Sequence, residues 1–133
     1  MEQLTSHKLA CIIAAMLDDK LGKEISILNI SHVSSLADYF VIVTGDSTPH
    51  VKALMETVKE RTKKELNRPP VRFENDNKNR WNLLDYGEVV VHIMLSQERE
   101  TYKIEQFWSH AMTLDRSVWE EKSKEFAQYE YGN

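Results

Sequence analysis

The chain has 133 residues, of which 41% are hydrophobic and 29% are charged, as is typical of one domain with its own core. Its formal net charge is −4, with 17 basic residues against 21 acidic ones. A protein held by nucleic-acid phosphates needs the opposite balance, because that affinity comes from cations that displace counterions. We therefore expect little or no direct nucleic-acid binding, and the acidic balance favours a basic protein partner.

The sequence also predicts the compartment. The first residues, Met1-Glu2-Gln3, have neither the basic start nor the apolar run of a secretion signal. The longest apolar stretch falls short of the roughly 18 residues that cross a bilayer. The single cysteine, Cys11, cannot form an internal disulfide, which fits a reducing environment. These features predict a cytoplasmic protein without membrane association.

The first predicted element is a helix. Apolar residues recur at helical spacing from Leu9 to Leu17, and Gly22 follows as a plausible end. The opposite side carries small, uncharged residues: Ala10, Cys11, Ala14 and Ala15. This side fits either a helix built from good helix formers or a surface for self-association, and the first interpretation is favoured.

A strand–helix–strand unit follows. Residues 25–30 alternate in the manner of a short strand, and the β-forming run at residues 38–44 predicts a central strand covered on both faces. Thr48-Pro49 predicts a helix start, with a hydroxyl cap and a proline in the first turn. Pro69-Pro70 ends that helix, and the next strand is predicted at residues 71–73.

The segment at residues 81–95 predicts a β-hairpin, because two β-rich runs flank Tyr86-Gly87. A two-residue turn at this point would pair Trp81 with His92. Strand alternation then places an aliphatic set on one face: Leu84, Val89, Val91, Ile93 and Leu95. The other face combines aromatic, thioether and aliphatic side chains: Trp81, Leu83, Val90, His92 and Met94.

The second face of the hairpin has the composition of a protein-binding surface, in which aromatic and methionine side chains are enriched. The same composition fits a face that another helix or the C-terminal segment covers, and the pattern alone does not distinguish these alternatives. A shift in pairing by one residue would exchange the two faces. At the turn, Asp85 and Tyr86 are predicted to add polar contacts at the rim.

The remaining chain predicts one more helix and a tail. A helix is expected to begin near Ser96 and to bury one side: Ile104, Phe107, Trp108 and Ala111. The signal weakens beyond Leu114, which divides the chain into a domain at residues 1–113 and a C-terminal segment at residues 114–133, helical or partly disordered. The predicted fold is a single α/β domain with a mixed sheet of about five strands and helices packed on it.

The sequence lacks the patterns of known catalytic and metal sites. Its five histidines form no pair at the spacing of a zinc enzyme, and one cysteine cannot build a zinc cluster. Gly45-Asp46-Ser47 lies between a strand and a helix, where phosphate can bind, but the phosphate-loop lysine is absent. We expect no catalytic residues, no metal and no cofactor. The competing hypothesis is a diverged, magnesium-dependent nucleotidyltransferase that uses this turn.

Two segments, SSLADYFVIVTG at residues 34–45 and WNLLDYGEVVVH at residues 81–92, resemble the ribosomal silencing factor family, also called the Iojap family. The pattern continues beyond the hairpin: Glu98, Arg99, Tyr102, Glu105 and Trp108. The likeness covers roughly residues 9–112, and the hairpin is its most specific part. The resemblance implies a small α/β domain with a topology similar to that of nucleotidyltransferases but without an established catalytic set.

The resemblance also implies a function. Family members bind universal protein number fourteen of the large ribosomal subunit, block its association with the small subunit and thereby repress translation. Organelle relatives assist large-subunit assembly, and isolated members self-associate, so a homodimer is implied as well. We assign partner binding to the hairpin: Trp81, Leu83, Asp85, Tyr86, Val90, His92 and Met94. The sequence departs from the family pattern at Asn75, where many relatives have glycine, and in its longer C-terminal segment.

Overall fold

The computed structural model describes residues 4–108 and 110–131, with residues 125–131 described by their backbone alone. The helices are α1 (Ser6–Asp19), α2 (Thr48–Leu66), α3 (Ser96–Tyr102), α4 (Ile104–Phe107) and α5 (Arg116–Tyr131). The strands are β1 (Lys23–Asn29), β2 (Tyr39–Gly45), β3 (Arg72–Glu74), β4 (Trp81–Asp85), β5 (Val89–Leu95) and β6 (Met112–Leu114). Among the described helices, none combines the length and hydrophobicity needed to cross a bilayer.

Within the described residues the strands form one six-stranded sheet in the order β3-β4-β5-β2-β1-β6. Strands β2 and β5 run parallel, and every other neighbouring pair is antiparallel. The predicted α/β domain with a mixed sheet is therefore confirmed. The sheet has one strand more than expected, because the short strand β6 adds to the edge of β1. The likeness to nucleotidyltransferase topology stays a prediction.

Helix α1 is buried on almost every side. Its N-cap is Thr5, whose hydroxyl accepts a hydrogen bond from the backbone N–H of Lys8 over 3.2 Å. The small side chains Ala10, Cys11 and Ala14 are fully buried, and helix α5 packs against α1. The chain itself thus occupies the small-residue side, and the alternative of a self-association surface on this side of α1 is wrong. Self-association through another surface stays a prediction.

The unit β2–α2–β3 follows the predicted order. Strand β2 is buried along its whole length at the centre of the sheet, which confirms a central strand covered on both faces. The N-cap of α2 is Ser47 rather than Thr48, with Pro49 in the first turn, and the helix ends at Asn67 in the left-handed conformation. Strand β3 lies two strands beyond β5 at the sheet edge, so the crossover spans the hairpin.

The predicted helix after Ser96 is two short helices, α3 and α4. The break falls at Lys103, whose φ of 49° is left-handed and ends α3. Helix α4 is a single turn that ends at Phe107, whose side chain is 78% exposed, so the prediction that Phe107 is buried is wrong. Ile104, Trp108 and Ala111 are half-buried against the sheet, as expected.

The sheet separates two hydrophobic clusters. The larger one lies between the sheet and helices α1, α2 and α5, and it contains Leu84, Val91 and Trp119. The smaller cluster lies on the opposite face, where Phe40, Ile42 and Met94 pack beneath the segment of α3 and α4. The hairpin of β4 and β5 contributes side chains to both clusters, so its two faces meet different surroundings.

Candidate docking surface on the hairpin

The pairing of β4 with β5 differs from the prediction by two residues. Trp81 lies opposite Met94 rather than His92, and Leu84 lies opposite Val91. A shift by an even number of residues preserves the alternation of side chains. The two predicted faces are therefore confirmed, since Leu84 and Val91 join the larger cluster and Met94 joins the smaller one, although the register was wrong.

The shift arises because the chain reverses at Gly87-Glu88 rather than at Tyr86-Gly87, so that Asp85 lies opposite Val90. The carboxylate of Asp85 accepts a hydrogen bond from the backbone N–H of Gly87 over 2.8 Å, and Gly87 has a φ of 90°. The backbone N–H of Tyr86 donates to the carbonyl of Val89 over 2.8 Å. Gly87 supplies the left-handed conformation that the first central position of this turn requires.

Tyr86 lies in the core rather than at the rim. Its side chain is 1% exposed, and its hydroxyl is 2.8 Å from the hydroxyl of Thr62 on α2. Burial raises the pKa of Tyr86 to about 12. The prediction that Tyr86 adds a polar contact at the rim is therefore wrong. A tyrosine in a polar-looking turn carries no sequence signal that its ring points inward.

The second face of the hairpin is partly covered. One part is open, as a protein-binding surface would be, and the other part is covered by a helix. Trp81, Leu83 and Val90 are half-buried, whereas His92 is 7% exposed and Met94 is fully buried. Helix α3 packs over β5 and β2, which covers the buried part. The expectation that His92 and Met94 present an open surface is wrong. The open part consists of Trp81, Leu83 and Val90, which we call the hairpin surface.

Contacts on both sides fix the orientation of Trp81. Its indole Nε1 donates to Nδ1 of His92 over 3.2 Å, and its ring lies 4.8 Å from that of Tyr102 on α3. The ring of His92 in turn packs edge-on against Phe40 at 4.9 Å. Burial lowers the pKa of His92 to about 4, so the imidazole is neutral at neutral pH and its Nδ1 is free to accept.

Asp85 lies at the edge of the hairpin surface, and its carboxylate already has partners. Besides the turn N–H of Gly87, it accepts a hydrogen bond from Nε of Arg72 on β3 over 2.9 Å. Its side chain is 18% exposed. Of the two paired side chains, that of Arg72 is the more exposed, at 65%.

A groove of about 520 Å³ adjoins the hairpin surface. Strands β3 and β4, the loop between them and helix α3 line it with these residues: Glu74, Asn75, Asp76, Arg80, Trp81, Leu83, Glu98 and Tyr102. Sequence patterns did not predict that Glu98 and Tyr102 lie beside Trp81 in one groove. They meet because α3 folds back over the sheet, a non-local arrangement that strand alternation does not reveal.

The turn at Gly45-Asp46-Ser47 is used for helix capping. The hydroxyl of Ser47 accepts from the backbone N–H of His50 over 3.2 Å, and the backbone N–H of Asp46 donates to Nδ1 of His50 over 2.9 Å. These contacts occupy groups that a phosphate would use. Across the described part of the chain, no group of three or more His, Cys, Asp or Glu residues is placed to hold a metal ion.

The fold and the hairpin surface define a small α/β domain with an aromatic side chain held in place beside an acidic groove. Residues 3–131 match the model of the family described as ribosomal silencing factor during starvation. The chain therefore belongs to the ribosomal silencing factor family, and the resemblance carried by the two sequence segments is confirmed. The match also includes helix α5, which the sequence resemblance did not reach.

Individual relatives agree with this family. Ribosomal silencing factor RsfS from Bacillus subtilis strain 168 is 36% identical over 104 residues, which covers 78% of this chain and 87% of the relative. The mouse protein named mitochondrial assembly of ribosomal large subunit protein 1 is 30% identical over 100 residues, which covers 74% of this chain and 44% of the relative. A crystal structure of a Chromobacterium violaceum protein matches with a TM-score of 0.75 at 35% identity, covering 79% of this chain and 87% of that one.

Proposed function

We propose that this protein acts in the cytoplasm as a ribosomal silencing factor. It binds the large ribosomal subunit through universal large-subunit protein number fourteen and blocks association with the small subunit, which represses translation. Membership of the family supports this proposal, as does the name of the Bacillus subtilis relative. The structural observation that carries it is the hairpin surface, an apolar patch built around the fixed indole of Trp81.

The hairpin surface suits docking because its central ring is already ordered. Trp81 is held by His92 and by Tyr102, so little side-chain freedom is lost when a partner covers it. A desolvated aromatic anchor contributes about 2 kcal/mol or more to binding. Asp85 contributes less than Trp81, because its carboxylate is already paired with Arg72 and an ion pair at a rim adds little.

The proposed silencing needs no bond to be made or broken. A folded domain that sits on the joining surface of the large subunit excludes the small subunit by its volume. Repression then depends on occupancy, and so on the protein concentration relative to the dissociation constant. This mechanism requires no catalytic residue, metal or cofactor.

The test measures binding and joining with the same variants. Leu83→Ala and Trp81→Phe change the hairpin surface, whereas Phe107→Ala removes an aromatic ring on α4 that is 78% exposed and lies outside the hairpin. In cosedimentation with purified large subunits, we expect the two hairpin variants to bind about tenfold more weakly and Phe107→Ala to bind normally. Each variant is compared with the wild type by thermal unfolding.

Two results would contradict the proposal. If folded hairpin variants bind large subunits as tightly as the wild type, the hairpin surface is not the docking surface. If the wild type binds but small subunits still join at saturation, measured by light scattering, then blocking of association is wrong. Loss of binding together with restored joining in the hairpin variants supports both parts.

A role in large-subunit assembly is the second candidate, because the mouse relative is named for that process. Depletion of the protein distinguishes the two roles. Depletion of a silencing factor leaves mature large subunits and raises the fraction of joined ribosomes under starvation. An assembly factor instead leaves precursor particles that lack late-binding proteins, which gradient profiles and mass spectrometry detect during growth.

A further inference from the structure

We propose that the groove beside Trp81 binds a cationic side chain, by preference an arginine, of the protein on which the hairpin surface docks. The inference rests on the proposed function, since the occupant belongs to that partner. It names a chemical feature of the partner that the hairpin surface alone does not specify. Three properties of the groove support it: its charge, an unpartnered carboxylate oxygen and an exposed aromatic ring.

The groove carries an excess of negative charge. Its lining has three carboxylates, those of Glu74, Asp76 and Glu98, and the guanidinium of Arg80. Arg72 pairs with Glu74 at 3.4 Å, which leaves Asp76 and Glu98 to share Arg80. Arg80 Nε lies 3.4 Å from the Asp76 carboxylate and 3.9 Å from that of Glu98, so the second contact is loose. A further cation in the groove would balance the charge.

Glu98 is the carboxylate that gains most from an incoming donor. Its side chain is 17% exposed, and its Oε1 is buried without a hydrogen-bond partner among the described residues. A buried acceptor without a donor costs free energy, and more so when it is charged. Because Glu98 lines the groove, a donor that enters the groove meets this carboxylate.

The aromatic wall favours arginine over lysine. Tyr102 is 58% exposed, and its ring lies 4.8 Å from that of Trp81 at an interplanar angle of 48°. A planar guanidinium stacks on an exposed aromatic ring while its N–H groups reach a carboxylate at the ring edge. The ammonium of lysine lacks this flat shape. The groove volume of about 520 Å³ accommodates one long side chain.

A charge-neutralising pair of variants on one helix tests the proposal. Glu98→Gln keeps the shape of the groove and removes its charge, and Glu100→Gln makes the same change at an exposed position of α3 outside the groove lining. We expect Glu98→Gln to bind purified large subunits about tenfold more weakly, with a smaller dependence on salt. Glu100→Gln should stay within about twofold of the wild type.

A crosslinking experiment keeps the proposal testable if Glu98→Gln does not fold. Tyr102 is replaced by photoreactive benzoylphenylalanine, which retains an aromatic ring, and the protein is irradiated on large subunits. We expect the crosslinked peptide of the ribosomal protein to contain an arginine beside the modified residue. A crosslink to ribosomal RNA or to a peptide without a cation would overturn the inference.

The failure of the groove and the failure of the proposed function give different results. If the wild type does not bind large subunits, the proposed function itself is wrong. If the wild type binds and folded Glu98→Gln binds with the same affinity and the same salt dependence, only the groove assignment is lost. If lysine rather than arginine is found at the crosslink, the cationic occupant stands and the preference for arginine is wrong.

Discussion

The indole N–H of Trp81 donates to Nδ1 of His92 over 3.2 Å, from the hairpin surface to the buried part of the same sheet face. Trp81 is half-buried, and His92 is 7% exposed beside Phe40. The hydrogen bond needs a neutral imidazole, because a protonated ring has no acceptor at Nδ1. The orientation of the Trp81 ring therefore depends on the protonation state of a residue in the interior.

Acidification is expected to destabilise the fold through His92. Burial lowers the pKa of His92 from 6.5 to about 4, so the unfolded chain takes up this proton at a higher pH than the folded chain does. The contribution to stability is complete above pH 6.5 and is lost as the pH falls towards about 4. The difference corresponds to roughly 3 kcal/mol.

Urea unfolding at several pH values measures this effect, with His92→Asn as the matched variant. The asparagine carbonyl can accept the indole N–H but does not titrate in this range. We expect the wild type to lose more stability than His92→Asn between neutral pH and about pH 4.5. The carboxylates titrate in both proteins, so the comparison isolates His92. Equal losses would mean that His92 does not carry the pH dependence.

Tyr86→Phe is expected to lower stability without weakening large-subunit binding. The Thr62 hydroxyl donates to the carbonyl of Val58 over 2.9 Å, which leaves the Tyr86 hydroxyl as the donor to Thr62. Removal of one buried hydrogen bond costs about 1 kcal/mol. Urea unfolding and cosedimentation with large subunits check the two parts. Weaker binding by a folded Tyr86→Phe protein would mean that the Tyr86 hydroxyl contributes to partner binding.

The faces of the hairpin could be predicted from sequence because strand alternation has a period of two. Leu84 and Val91 lie on the predicted face although the predicted pairing of β4 with β5 was wrong by two residues. A shift by an even number of residues keeps the alternation of side chains. Burial of Tyr86 could not be predicted, because it depends on the distant hydroxyl of Thr62. The groove could not be predicted for a related reason, because helix α3, which is distant in sequence from β4, brings Glu98 next to the hairpin.

The break between α3 and α4 shows a second limit of sequence patterns. Lys103 adopts a left-handed conformation, with a φ of 49°, which sequence rules assign first to glycine or asparagine. Helix α4 then spans only Ile104–Phe107, which is too short to present the predicted buried stripe. Ile104 and Trp108 are half-buried as predicted, whereas Phe107 is exposed.

Arg99 is expected to be the charged residue of α3 that matters most for stability. Its guanidinium makes two hydrogen bonds to the Glu105 carboxylate, of 3.0 and 2.9 Å, and a third of 2.9 Å to the Thr44 hydroxyl on β2. The Arg99 side chain is only 12% exposed. Arg99→Met should therefore lower the free energy of unfolding by roughly 2 kcal/mol, because it leaves the Glu105 carboxylate without its cationic partner.

Denaturant unfolding of Arg99→Met is compared with that of Lys64→Met. Lys64 forms an ion pair with Glu60 on α2, but the two side chains are 71% and 62% exposed. Solvent screens that pair, so its loss should leave the unfolding midpoint unchanged. Because Arg99 also anchors the helix that carries Tyr102, Arg99→Met should weaken large-subunit binding as well. Equal midpoints for the two variants would show that the Arg99 contacts contribute no more than an exposed ion pair.

Trp119→Ala tests whether α5 is part of the folded unit or an addition to it. Trp119 is 1% exposed in the larger cluster, and the guanidinium of Arg116 lies 4.9 Å from its ring while also pairing with Asp18 of α1 at 2.7 Å. Truncation of a buried tryptophan leaves a cavity and costs about 3 kcal/mol or more. The adjacent Val118 is 46% exposed, so Val118→Ala is the control and should change little.

Denaturant unfolding, which also compares Trp119→Ala with Val118→Ala, decides the boundary predicted near residue 114. If α5 completes the core, a chain that ends at residue 114 exposes Ala10 and Ala14 of α1 and unfolds at a lower denaturant concentration than the full chain does. The newly exposed apolar side should also promote aggregation, which light scattering detects. A truncated chain with the stability of the full chain would instead confirm a domain at residues 1–113 with an independent C-terminal segment.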